Sequence, residues 1–91
     1  MFIRVTRGRY DPATEAQLLR VFEDQVLPGL RQRPGFGGYQ VGLNREAGTV
    51  AAISTWDTRE QAATPPLPPP RLAALGVVFE AVETYAVAVT A

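Results

Sequence analysis

The sequence predicts an α+β domain in which four antiparallel strands form one sheet and two helices cover one of its faces. Two observations predict this fold class. Segments rich in β-branched and aromatic residues alternate with segments whose apolar residues recur at helical spacing. Their order is β-α-β-β-α-β, the ferredoxin-like arrangement. At 91 residues the chain has room for one such domain, spanning 1–91, and for no second core.

The first strand and the first helix are predicted between residues 2 and 35. Residues 2–9 (FIRVTRGR) are typical of a strand, and Asp11-Pro12 is typical of a helix start, with Asp11 as the N-cap. We expect Pro28-Gly29 to kink or loosen the last turns and Pro34-Gly35 to end the helix. The apolar stripe of this helix contains Leu19, Phe22, Val26 and Leu30.

A β-hairpin and a short helix are predicted in the middle of the chain. Residues 36–43 and 49–56 flank a four- or five-residue loop that ends at Gly48, which predicts two paired strands. Residues 57–61 (DTREQ) then offer two overlapping capping boxes, so a short helix is expected to begin there.

A proline-rich segment interrupts the second helical region. Five of the eight prolines lie at positions 65–70, and residues 66–71 (PLPPPR) match the PxxPx-basic pattern of a polyproline ligand. The alternative, which we favour, is a stiff connector whose last proline starts the next helical turn. That helix is expected over 71–75 with Gly76 as its C-terminal stop, and residues 82–89 (VETYAVAV) predict the last strand.

Neither face of the predicted sheet is strongly polar. Two helices can cover one face only, and the other measures roughly 350–400 Å² in plan. An apolar surface of that size is expected to be covered by a second copy of the chain. In the third strand the two sets of side chains are Val50, Ala52, Ser54 and Trp56 on one face and Ala51, Ile53 and Thr55 on the other.

Composition excludes several classes of function. Nine basic residues balance nine acidic ones, so charge favours neither nucleic acid nor an anionic membrane as partner. Cys, His and Lys are absent, which excludes thiolate nucleophiles, Ser-His-Asp triads, His-ligated haem and Schiff-base chemistry. We therefore expect no metal site built on Cys or His and no stoichiometric haem binding. We also expect no cofactor and no metal of another kind, which the family resemblance described below implies. No segment predicts a membrane span or a secretory signal, so we expect a cytoplasmic protein.

A small set of residues could line a ligand cavity between the sheet and the helices. Trp56, the only Trp, ends the third strand, where it either packs in the core or forms a cavity wall. Arg4 lies within a strand and needs a polar partner, which predicts an ion pair between strands or at a dimer interface unless it faces a ligand. Further polar candidates for the same cavity are Thr6, Tyr39, Ser54 and Tyr85.

Several stretches of the sequence resemble the antibiotic biosynthesis monooxygenase (ABM) family. Residues 34–39 (PGFGGY) open the second strand, and residues 52–62 (AISTWDTREQA) join the third strand to the next helix. The Arg4-Val5 pair in the first strand and Tyr85-Ala86-Val87 in the last one are similar as well. The resemblance covers essentially the whole chain.

The resemblance implies a dimeric α/β barrel, in which two sheets pack together and each copy holds a pocket between helices and sheet. Some members of the family oxidise anthrones or quinols with O2 and no cofactor, and a related branch degrades haem. That branch uses a strand-one Asn, a strand-three Trp and a helical His; Trp56 matches, Thr6 stands at the Asn position and His is absent. Anthrone oxidation in the family uses an amide four residues before the Trp, where this chain has Ala52.

The resemblance implies one of two functions. The first is cofactor-independent oxygenation of a quinol- or anthrone-type aromatic, and the alternative is a non-catalytic dimer that binds a small ligand. Oxygenation requires an apolar pocket, a base, and donors for the substrate anion. The side chains considered are Trp56, Phe36 and Phe79 for stacking, Arg4, Tyr39 and Tyr85 for the oxyanion, and Asp57, Glu60 and Glu83 for the base. These carboxylates are better explained as caps or surface charges.

Overall fold

The computed structural model describes residues 1–65 and 68–91, and it contains one four-stranded antiparallel sheet. The strand order is β2-β3-β1-β4, and every neighbouring pair is antiparallel. This topology confirms the predicted α+β, ferredoxin-like fold. The strands are β1 (Phe2–Arg9), β2 (Phe36–Asn44), β3 (Thr49–Trp56) and β4 (Val78–Ala86).

The first helix begins as predicted, at an Asp11 cap. The Asp11 carboxylate accepts a hydrogen bond from the backbone N–H of Ala13 at 2.9 Å. The helix then runs in four consecutive segments: a 3-10 turn (Pro12–Thr14), α1 (Glu15–Val21), a π-helical turn (Phe22–Val26) and α2 (Leu27–Arg31).

The π-helical turn is a local consequence of Pro28. Proline has no N–H to donate to the carbonyl of Asp24, and its ring crowds that carbonyl, so the preceding turn widens. In the widened turn the Leu27 N–H donates to the Phe22 carbonyl. The sequence predicts the disturbance at Pro28-Gly29 and beyond, whereas the structure places it one turn earlier, because the crowded carbonyl lies on the N-terminal side of a proline.

The second helical region consists of two short helices, α3 (Arg59–Ala63) and α4 (Pro70–Ala74). Of the two capping boxes that the sequence offers, the one formed by Thr58 and Gln61 is made, with both hydrogen bonds present. Two prolines of the connector, Pro68 and Pro69, lead into α4, while Pro66 and Leu67 lie outside the described residues.

The last strand begins four residues earlier than predicted. Gly76, at φ 82°, ends α4, and the N–H groups of Gly76 and Val77 donate to the carbonyls of Ala73 and Leu72. This pair of bonds is a Schellman motif, which reverses the chain at once and leaves no room for a connector. β4 therefore starts at Val78, and residues 87–89, predicted as strand, lie beyond its end.

The hydrophobic core lies between the sheet and the helices. Its most deeply buried side chains are Leu18 in α1, Leu30 in α2 and Trp56 at the end of β3. The other side of the sheet, here termed the open face, carries none of the described helices and has a half-buried apolar centre formed by Ile3, Val5, Ala51 and Ile53. Within 1–65 and 68–91, no helix combines the length and apolar character needed to cross a membrane.

Candidate functional site

A cavity of about 420 Å³ lies between the helical layer and the inner face of the sheet. Its sheet wall comes from all four strands, and its helical wall comes from the π-helical turn, α2 and α4. The connector between α3 and α4 also contributes. The described lining residues are Arg4, Thr6, Phe22, Gln25, Val26, Gly29, Leu30, Tyr39, Ala52, Ser54, Pro65, Pro68, Pro69, Leu72, Phe79 and Val82.

The cavity has a polar floor and an exposed, mostly apolar mouth. Arg4 and Ser54, at 4% and 2% exposure, are its buried polar side chains and define the floor. The exposed lining residues define the mouth. They are Gln25, Gly29, Pro65, Pro68 and Val82. A ligand that fills this cavity therefore places a polar group inward and an apolar body outward.

Arg4 is a buried cation in the middle of β1. Its Nη1 group donates to the carbonyl of Ala62 at 3.0 Å, and its guanidinium lies 5.0 Å from the centre of the Trp56 ring. Within the described residues of this one chain Arg4 has no carboxylate partner, so the predicted ion pair between strands is not formed, and the side chain faces the cavity. Desolvation, and then the nearby charge of Arg33, lower the pKa of Arg4.

Ser54 and Trp56 occupy the same face of β3. The indole Nε1–H of Trp56 donates to the Ser54 hydroxyl oxygen at 2.7 Å, so the hydroxyl proton of Ser54 is free to donate into the cavity. Trp56 itself is 1% exposed and does not belong to the cavity wall. It packs edge-on against Phe36 and supports Arg4 and Ser54 from behind. Trp56 thus packs in the core beneath the floor, which is the first of the two alternatives that the sequence left open.

Tyr39, Thr6 and Phe79 line the cavity, whereas Tyr85 does not. Burial raises the pKa of Tyr39 to about 12, so its hydroxyl remains protonated at neutral pH and can donate. Tyr85 pairs with Ile3, which places it on the open face, and its hydroxyl donates to Glu83 at 2.5 Å. Of the seven residues suggested for the site, the structure brings five together around the cavity and separates Trp56 and Tyr85 from it.

The described cavity lining contains no carboxylate, and none of the three candidate bases reaches it. Asp57 and Glu60 are exposed at the start of α3. Glu83 lies on the open face, where hydrogen bonds from Tyr85 and Arg7 lower its pKa. Residues 1–65 and 68–91 contain no cluster of three or more Asp and Glu side chains suited to a metal ion. The lining can therefore stabilise an anion and donate hydrogen bonds.

Solved structures share this architecture over nearly the whole chain. A protein from Deinococcus radiodurans, provisionally assigned as an antibiotic biosynthesis monooxygenase, superposes with a TM-score of 0.74 at 18% identity, covering 100% of this chain and 96% of its own. The chain has the fold of the antibiotic biosynthesis monooxygenases. Rv0793 from Mycobacterium tuberculosis matches with a TM-score of 0.65 at 17% identity, over 99% of this chain and 97% of that one.

A third structure with the ABM fold contains a small molecule. It is a monooxygenase from the gene ActVA-Orf6 of Streptomyces coelicolor in complex with nanaomycin D, with a TM-score of 0.63 and 20% identity over 92% of this chain and 82% of that one. No protein-family model and no curated protein matches the sequence. These comparisons confirm the fold that the sequence resemblance implies.

Several lining residues of the ABM-fold cavity were not anticipated from the sequence. Gln25 and Gly29 reach it because the π-helical turn and α2 form one wall, and Pro65, Pro68 and Pro69 reach it because the connector passes over the sheet. The described prolines therefore wall the cavity in addition to connecting two helices. The feature of the sequence that could have indicated this helical wall is Pro28-Gly29 inside a helix, because the helix is irregular there and supplies lining residues on both sides of the proline.

Proposed function

We propose that this protein binds a small, planar aromatic molecule that carries an acidic hydroxyl, a phenol or an enol, and binds it as the anion. The observation that carries the proposal is Arg4, a buried cation on the cavity floor with no acidic partner among the described residues. An isolated buried charge is costly, and an anionic ligand supplies the missing partner.

The surroundings of Arg4 also favour an anion. A second guanidinium, that of Arg33, lies 5.8 Å from the centre of the same Trp56 ring, and its Nη1 group is buried with no hydrogen-bond partner within 1–65 and 68–91. Arg33 lies outside the cavity lining, but its charge acts on Arg4, and the two positive charges together would lower the pKa of a phenol bound beside Arg4. Ser54 and Tyr39 offer hydroxyl protons to the same oxygen.

The rest of the cavity suits a flat hydrocarbon body. Phe22, Leu30, Leu72 and Phe79 provide apolar and aromatic walls. Since the polar side chains cluster on the floor, the ligand oxygen points inward and the rings extend toward the mouth. Nanaomycin D in the ABM-fold structure from Streptomyces coelicolor supports a small-molecule ligand for this fold.

We propose, further, that the bound anion reacts with O2 without a cofactor. An electron-rich aromatic anion can transfer one electron to O2, and the resulting superoxide and radical combine at the carbon to give a hydroperoxide. For an anthrone, loss of water from that hydroperoxide leaves a quinone, so one oxygen atom enters the product and the other leaves as water. The substrate supplies all four electrons. Arg4, Ser54 and Tyr39 stabilise the anion, and the phenolic proton passes to solvent.

Binding without turnover is the second candidate function. It is favoured by the lining itself, which among the described residues contains no carboxylate and no other group able to act as a base at neutral pH. In that case the anion of an already acidic phenol is held and released unchanged.

A second copy of the chain is the proposed partner. The open face has an apolar centre and no helix over it, and a two-fold pairing of two sheets covers that centre on both copies. The rim of the open face is polar, with Arg7, Glu83 and Tyr85 forming one hydrogen-bonded group. The interface we propose is therefore apolar only in its middle.

Ligand binding and oxygen uptake by wild-type protein and Arg4→Gln test these proposals. Glutamine keeps a polar amide with N–H donors and removes the charge, although its side chain is shorter than the one that reaches the Ala62 carbonyl. We expect the affinity for a phenolate probe such as 4-nitrophenolate to fall about 10- to 100-fold, the range for losing a charge-assisted hydrogen bond. Arg59→Gln, which removes a guanidinium lying 5.7 Å from the ring of Phe2 outside the cavity, is the matched control.

The outcomes separate the two functions. Oxygen uptake with anthrone or hydroquinone, without release of hydrogen peroxide, that Arg4→Gln lowers and Arg59→Gln leaves unchanged supports the oxygenase. If the protein binds the phenolate probe and takes up no oxygen with either substrate, the result supports binding without turnover. If wild-type protein and Arg4→Gln bind the phenolate equally, Arg4 is not an anion site and the proposal is wrong.

A further inference from the structure

We infer that Gly29 determines how long a ligand the cavity accepts, an inference that rests on the function proposed above. Gly29 lies inside α2, is exposed, and belongs to the mouth of the cavity. A Cβ atom added at this position would meet nothing within 4 Å. The missing side chain therefore leaves open space at the mouth.

Neither backbone conformation nor packing explains a glycine at this position. Gly29 is not among the glycines with positive φ, so an L-residue fits its helical backbone. Gly8 shows the contrast, because a Cβ there would overlap the carbonyl oxygen of Val78. In the interior of a helix, glycine is disfavoured relative to alanine. Position 29 thus carries a helix-weakening residue with no structural requirement for it.

The other mouth residues, Gln25, Pro65, Pro68 and Val82, all carry side chains, so Gly29 is the one described mouth position without a Cβ atom. Pro65 and Pro68 contribute rigid rings with few conformations. Along the same helical wall, Gln25 in the π-helical turn lies one turn before Gly29, and both are exposed lining residues. A ligand whose oxygen meets Arg4 on the floor directs its far end toward this mouth. Ligands with two or three fused rings can then extend past Gly29.

The test compares two probes that share an acidic phenol and differ in length. They are 2-hydroxyanthraquinone, with three fused rings, and 4-hydroxyacetophenone, its one-ring counterpart. We expect Gly29→Leu to weaken the long probe about tenfold or more and to change the short probe by less than about twofold, since a Leu side chain would occupy the mouth only. Ala16→Leu, at an exposed helical position outside the cavity lining, is the matched control and is expected to change neither.

Gly29→Ala provides a second readout that does not require a ligand. We expect its melting temperature to equal or exceed that of the wild type, because alanine is the better helix former and has room at this position. A lower melting temperature would show that the glycine is structural and would overturn the inference. The inference would also be overturned if Gly29→Leu weakened the binding of both probes equally or of neither. The proposed function would stand in that case. If wild-type protein binds neither probe, the proposed function itself fails and the inference fails with it.

Discussion

The indole N–H of Trp56 donates a hydrogen bond to the hydroxyl oxygen of Ser54, at 2.7 Å between Nε1 and Oγ. Both residues are almost fully buried, and only Ser54 belongs to the cavity wall. The contact occupies one lone pair of the serine oxygen and leaves the hydroxyl proton available to another acceptor. We therefore expect Trp56 to influence a bound ligand through Ser54 and not by direct contact.

Trp56→Phe is expected to weaken ligand binding only while Ser54 is present. The variant loses the N–H donor and part of a buried ring, so the free energy of unfolding should fall by about 1–3 kcal/mol. Affinity for 4-nitrophenolate should fall severalfold in the wild-type background and hardly change in a Ser54→Ala background, as a double-mutant cycle would show. Equal effects in both backgrounds would mean that Trp56 acts independently of Ser54.

Tyr39 is expected to lose its proton at a higher pH than an ordinary, solvent-exposed tyrosine. Burial raises its pKa from an ordinary value of 10.0 to about 12, so the folded state holds this proton more tightly than the unfolded chain. Its stabilising contribution is complete below pH 10 and is lost as pH rises toward 12. In the ultraviolet titration of phenolate, Tyr39→Phe should lack the step near pH 12. A wild-type protein without that step would contradict the assignment.

Ligand affinity is expected to follow the ionisation of the ligand itself. Since Tyr39 stays protonated and the described lining carries no carboxylate, no protein group at the cavity changes charge near neutral pH. Affinity for a phenol should rise with pH up to the pKa of the free phenol and then level off, because the anion is the bound form. Phenols of different acidity should shift the curve accordingly, and a common midpoint for all of them would indicate a titrating protein group instead.

The open face is expected to hold two copies together. Ile53→Asp places a charge at its apolar centre, so the variant should dissociate to monomer or fail to fold, whereas Ala16→Asp on the exposed side of α1 should do neither. For the wild type, the unfolding midpoint should rise with protein concentration. A stable, folded 9.9 kDa species in sedimentation at micromolar concentration would show that this face is not an interface.

Features that depend on neighbouring residues were predicted from the sequence. The Asp11 cap, the Thr58–Gln61 capping box and the stop at Gly76 each involve residues within a few positions of one another. Residue types and spacing are sufficient for such features because hydrogen bonds of this kind close over one helical turn. The bounds of β1 and β3 were predicted correctly for a similar reason, since composition changes sharply at their ends.

The composition of the cavity depended on pairings between distant residues. Alternation along β4 separates Tyr85 from Val82, but only the register of β4 on β1, with Val82 beside Thr6 and Tyr85 beside Ile3, decides which of them faces the helices. Tertiary packing also decides which side chains of one face line the cavity. Ser54 and Trp56 share a face of β3, but Phe36 and Arg4 pack around the indole, so Trp56 is buried beneath the floor.

The sequence by itself therefore determined the order of strands and helices, the ends of most of them, and the absence of Cys, His and Lys from any site. The tertiary structure alone decided that Arg4 faces a cavity without a described acidic partner and that Gly29 lies at its mouth. The physical reason is the range of the interactions. Caps and turns are made between near neighbours, whereas the burial of a charge and the open space beside a glycine depend on residues far away in the chain.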